Sequence, residues 1–199
     1  MKDFSSAAIK KADKVKKVTF EHKNPKKNLY ITSIGKNVFC GCKNLPEIEI
    51  PDTVTRIGDY AFCGCSALTD INIPASVQSI GAYAFKETGI INAVIPGTVT
   101  TLGDYAFSNC TSLKSATISD GVGSIGEYVF DKCTAIESIT LPYAGETLAS
   151  VNQEDSRIYV LSRLFNNEVT DKTYGANCYG FTRYIPNSLK KMTITGGTR

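Results

Sequence analysis

The sequence has no tryptophan, one histidine (His22) and two methionines in 199 residues. A single imidazole leaves no histidine-centred triad and no multi-histidine metal cage. Long apolar runs are missing as well. No stretch reaches the roughly 18 apolar residues of a membrane-crossing helix, so no membrane insertion is predicted. Met1 to Asp13 contains no continuous apolar segment, which predicts no signal peptide in this chain. The formal charge of +3 is too mild to announce nucleic acid or an anionic membrane, which favour a basic stripe. No P-loop, H-E-x-x-H, EF-hand or G-x-S-x-G motif occurs. These absences predict a protein that is not an enzyme, with no cofactor, no catalytic residue and no resident metal.

What is present is a folding composition: 42% hydrophobic and 21% charged, enough for one or two globular domains. Charge is unevenly placed. Met1 to Tyr30 holds nine lysines against Asp3, Asp13 and Glu21, so this end carries +6 and the remainder −3. The lysine-rich end reads either as a solvated cap or as a docking element for an acidic surface.

The dominant signal is an internal repeat. IGKNVFCGCKNL from Ile34, IGDYAFCGCSAL from Ile57, IGAYAFKETGI from Ile80, LGDYAFSNCTSL from Leu102 and IGEYVFDKCTAI from Ile125 align at steps of 23, 23, 22 and 23 residues. Each copy runs on into an L-x-x-I-x-I-P string, as in Leu45, Ile48, Ile50, Pro51 and Leu68, Ile71, Ile73, Pro74. Alternating apolar residues mark a short strand with one buried face, and proline ends it. Partial copies at Val15, Val18, Phe20 and at Leu189, Met192, Ile194 bring the predicted strands to seven. The repeated glycines Gly35, Gly58, Gly81, Gly103 and Gly126 are expected at a turn of positive φ. Phe39, Phe62, Phe85, Phe107 and Phe130 are expected to stack as an interior ladder, with Ala61, Ala84 and Ala106 where space is short.

The interval from Ile136 to Leu189 is 53 residues, one period plus 30, so 143–188 is read as an insertion. The organisation is then a lysine-rich cap with a partial repeat over 1–33, five repeats over 34–142, the insertion, and a partial repeat over 189–199.

This pattern, I-G-x-x-A-F-x-x-C-x-x-L-x-x-I-x-I-P over 15–142 and 184–195, resembles the BspA-like leucine-rich repeat family, also called the Treponema pallidum type. The resemblance implies an α/β repeat, a curved right-handed solenoid of short parallel strands. It also implies a non-catalytic module at the cell surface or secreted, binding host proteins, other cells or matrix. The absence of a signal peptide leaves a second reading open, an intracellular scaffold for protein–protein interaction.

Placed on the repeat, Cys42, Cys65, Cys110 and Cys133 form one column, with Thr88 in the remaining copy, and read as interior packing. Cys40 and Cys63 fall where other copies have Lys86, Ser108 and Asp131, a position expected to be exposed, and adjacent turns bring them toward disulfide range. Gly121, Gly123 and Gly126 match G-x-G-x-x-G, but within an ordinary repeat turn.

Two surfaces compete for a ligand. The outward strand positions give Glu47, Glu49, Asp70, Asn72, Asn92, Ser115, Thr117, Ser138 and Thr140 on the concave face. So polar a face favours a protein or glycoprotein partner over an apolar ligand. In the insertion Tyr159, Tyr174, Tyr179 and Phe181 offer either a contact surface or a small local core.

Overall fold

The computed structural model describes residues 2–4, 12–20, 30–142, 164–165 and 186–195. The chain winds as a parallel-strand solenoid with a period near 23 residues. Two parallel sheets run along it. One joins β1 (Lys2–Phe4), β2 (Ile31–Ile34), β3 (Arg56–Ile57), β4 (Ser79–Ile80), β6 (Thr101–Leu102) and β8 (Ser124–Ile125) in that order. The other joins β5 (Asn92–Ile95), β7 (Ser115–Ile118), β9 (Ser138–Pro142) and β10 (Lys191–Thr195). The inward residues of β2 to β9 enter or pack against one hydrophobic core.

The L-x-x-I-x-I-P reading holds in full for β5, β7 and β9; β10 forms the predicted strand, but its apolar residues Met192 and Ile194 are exposed rather than buried. Asn92 pairs with Ser115, Ser115 with Ser138, and Ser138 with Lys191, so equivalent outward positions stand in register. At 47–50 and 70–73 burial alternates as predicted, with Ile48, Ile50, Ile71 and Ile73 inside, yet no strand forms. These two copies face solvent with Glu47, Glu49 and Asp70, and like charges opposed across neighbouring turns work against pairing. Val15, Val18 and Phe20 also form no strand. They pack on the core from irregular backbone, and Phe20 meets Phe39 edge-on at 6.3 Å.

No residue from 30 to 142 is helical, so the α component of an α/β repeat is absent there. Turns take its place. Each turn hangs from the next by backbone bonds such as Phe39 N to Ala61 O at 2.8 Å and Phe85 N to Ala106 O at 2.7 Å. Hydroxyls add to this: Thr53, Ser76 and Thr98 each donate to a carbonyl of the preceding turn, at 2.7, 2.7 and 3.1 Å.

The repeated glycines serve a purpose other than the one expected. Positive φ among the described glycines belongs to Gly41, Gly64 and Gly121. Gly58, Gly81, Gly103 and Gly126 are instead sites of close approach: a methyl group on Gly103 would lie 2.5 Å from the Ala82 nitrogen. Left-handed backbone falls two residues after each repeated glycine, at Asn37, Tyr60, Tyr83, Tyr105 and Tyr128, with φ between 54° and 60°, and again four residues further on, at Gly41, Gly64, Glu87, Asn109 and Lys132.

The phenylalanine ladder is present. Its rings are buried and their centroids are separated by 5.2, 5.2, 4.9 and 5.9 Å from Phe39 to Phe130. It also extends one rung beyond the five copies. Phe130 N donates to Leu164 O at 2.9 Å, and the Phe165 ring lies 6.4 Å from Phe130. Leu164 and Phe165 thus occupy the Ala-Phe positions of a further turn, within a stretch that shows no repeat in its sequence.

Candidate recognition surface

The second sheet and the acidic segments before it carry the outward residues that the repeat singles out. Glu47, Glu49, Asp70, Asn72 and Asn92 are exposed. Ser115, Thr117, Ser138 and Thr140 are half-buried, because each sits between in-register neighbours on a paired strand. The Ser115 hydroxyl donates to Asn92 Oδ1 at 2.6 Å, tying the first two strands together on their outer side. Val94 is 56% exposed in the same row, a single apolar residue among polar ones.

Chemically the face changes along its length. Carboxylates stand at the first two copies, hydroxyls and amides in the middle, and Lys191 at the last strand. Lys190 pairs with Glu137 at 3.2 Å between exposed side chains, a rim contact worth little in stability. Nothing in this row has the convergence of a catalytic site. It can offer charge from the unpaired segments at 47–50 and 70–73, and hydrogen bonds from positions whose backbone is fixed by strand pairing from Asn92 onward. Tyr159, Tyr174, Tyr179 and Phe181 lie outside the described residues.

A second surface feature was not legible as such. Tyr60, Tyr83, Tyr105 and Tyr128 form a half-exposed stack, with centroids 4.7, 5.0 and 5.2 Å apart. Burial, then the neighbouring Tyr83 and Tyr128, push the Tyr105 phenol above its usual range. The tyrosine recurs in four copies of the sequence, so its column could have been found beside the phenylalanine column. Lys86 adds its ammonium 5.9 Å from the Tyr83 ring and pairs with Glu87 at 3.2 Å.

The cysteines divide as the repeat suggests, with one change. Cys42, Cys65, Cys110 and Cys133 are fully buried. The Cys65, Cys110 and Cys133 thiols each donate to a phenylalanine carbonyl of an earlier turn at 3.1 Å, and Thr88 does likewise within its own copy at 2.9 Å. Burial pushes the Cys65 and Cys133 thiols well up, so they pack as neutral groups. The change concerns the Cys40 and Cys63 column, which is not exposed. Both are half-buried and not joined by a disulfide, and the equivalent Ser108 and Asp131 are buried. Rather than projecting outward, this column runs beside the core. Among the described residues no group of three or more His, Cys, Asp or Glu is arranged to hold a metal.

Comparison with known proteins agrees with this geometry. A model of the BspA-type leucine-rich repeat region matches residues 32–156 in six copies. The crystal structure of the T. pallidum leucine-rich repeat protein is 29% identical, with a TM-score of 0.55, over 57% of this chain and 54% of that one. A leucine-rich repeat protein from Bacteroides ovatus is 36% identical with a TM-score of 0.48, over 55% of this chain and 29% of that one. The chain therefore spans only part of the length of either. No curated protein gives a significant match. The matched region covers most of the chain and coincides with the turns described above, so this protein belongs to the BspA-type leucine-rich repeat family.

Proposed function

We propose that this chain is a non-catalytic recognition module that binds a protein or glycoprotein at a cell surface through the outward face of its strands. One observation carries the reading. Along the x-I-x-I strings from 47–50 to 138–141 the inward residues build the core while the outward ones stay exposed or half-exposed, so their chemistry is open to a ligand. Repeat proteins present extended surfaces of this kind. The acidic cluster Glu47, Glu49 and Asp70 gives the face a signed end, which steers a basic partner and makes association salt-dependent. Asn72, Asn92, Ser115, Thr117, Ser138 and Thr140 supply hydrogen bonds further along.

A second reading, an intracellular scaffold, is favoured by the column of Cys42, Cys65, Cys110 and Cys133, which packs inside the core as thiols, three of them donating to phenylalanine carbonyls, and so suits a reducing compartment. The two are separated by where the full-length protein resides: surface labelling of intact cells marks the protein in the first case and not in the second. The binding test is a screen of the full chain against extracellular matrix and cell-surface proteins. The parent is compared with a variant carrying Glu47→Ala, Glu49→Ala and Asp70→Ala, and with one carrying alanine at Tyr159, Tyr174, Tyr179 and Phe181. Loss in the first variant supports the strand face; loss only in the second moves recognition to the insertion.

A further inference from the structure

Residues 40 and 63 are held in register on adjacent turns. Phe39 N donates to Ala61 O at 2.8 Å and Gly41 N to Cys63 O at 2.7 Å, which sets each residue from 39 to 41 beside the one 23 places on. The Phe39 and Phe62 rings show the same pairing, stacked at 5.2 Å. Between these bonded flanks Cys40 stands beside Cys63. Neighbouring parallel strands lie about 4.8 Å apart, within the roughly 4.4–6.8 Å between Cα atoms that a disulfide spans. Both thiols are free and half-buried, whereas Cys42 and Cys65 two residues on are sealed in the core. The other three copies place Lys86, Ser108 and Asp131 at this position, so a thiol pair on adjacent turns occurs there only once.

We propose that Cys40 and Cys63 form a reversible disulfide, made by exchange with a low-molecular-weight disulfide, that staples the first turn to the second. Burial, then the adjacent Cys40, push the Cys63 thiol up to about 11. The thiolate of one cysteine of the pair attacks one sulfur of the external disulfide, and the other sulfur departs as a thiolate that takes up a proton. The second cysteine then gives its proton to solvent and attacks the mixed-disulfide sulfur held on the first, expelling the second small thiolate. Two protein thiols are oxidised to one disulfide while the external disulfide is reduced to two thiols. The stapled turns are those that carry Glu47, Glu49 and Asp70, so the oxidation state bears directly on the acidic end of the face.

The test uses the full chain with Cys178→Ser, which removes the cysteine outside the described residues, treated with oxidised glutathione. The expected product has lost two hydrogens by intact mass, carries no glutathione, melts at a higher temperature than the reduced protein, and reverts with dithiothreitol. In Cys63→Ser, one glutathione stays attached, at Cys40. A parent that stays unmodified, a parent that keeps glutathione, or a disulfide that still forms in Cys40→Ser would each overturn the proposal.

Discussion

Tyr83 sits at φ 58°, in the left-handed region that side chains other than glycine and asparagine adopt at a cost. The stack with Tyr60 and Tyr105 offsets that cost, and Asn37 shows what the position accepts where no ring is stacked. Both Tyr83→Asn and Tyr83→Val lose the ring, but only valine also strains the backbone, so the valine variant is expected to be less stable by about 1 kcal/mol. Equal denaturant midpoints would contradict this. The thiols give a pH dependence. Cys65 and Cys133 have native pKa values raised above the ordinary 9.0, so above that pH the unfolded chain has released protons that the native protein still holds. Stability from this source is complete below pH 9.0 and falls as pH rises further. Cys65→Thr copies the hydroxyl that Thr88 already supplies and does not titrate. Its thermal stability is expected to decline less between pH 9 and 11 than that of the parent; parallel declines would show that the Cys65 proton is not held.

The elements of this fold are single rungs and short strands, and they were unevenly legible. Recurrence at 23 residues placed Phe107 in a stacked column, and its wholly apolar ring beside the small Ala106 placed that column inside, whereas the tyrosines that recur at the same interval stack half-exposed. The same comparison passed over Phe165, since Val160, Leu161 and Arg163 stand where the motif has Ile, Gly and Tyr. Only the bond from Phe130 to Leu164 and the burial of both residues reveal the rung. Strand pairing at 47–50 failed for a different reason: alternation reports burial, whereas a ladder also depends on what faces it across the turn. The turn glycines were read for conformational freedom when spacing was the constraint. Phe107→Ala empties the middle of the stack, where turns on both sides prevent collapse, and is expected to cost roughly 3 to 5 kcal/mol. Phe165→Ala is expected to cost about 2 to 4 kcal/mol, less because it sits at the end of the described ladder. Urea denaturation checks both, and a Phe165 variant as stable as the parent would remove it from the core.

Across the whole molecule the repeat separates stability from recognition. Inward columns of phenylalanine, isoleucine and cysteine hold the turns together, while outward positions pass from acidic to hydroxyl to basic without disturbing the core beneath them. The sequence could supply that row in order because one period maps each outward residue onto its neighbour. It could not supply the half-burial of Ser115 and Ser138, which arises only when paired strands crowd them. The most direct measurement takes the partner captured in the matrix and cell-surface screen and follows its affinity against salt, for the parent and for the variant with Glu47, Glu49 and Asp70 replaced by alanine. The variant is predicted to melt within a degree or two of the parent, to bind more weakly at low salt, and to lose most of the salt dependence. No capture across the panel, or unchanged affinity and salt dependence in the variant, would contradict recognition through the strand face.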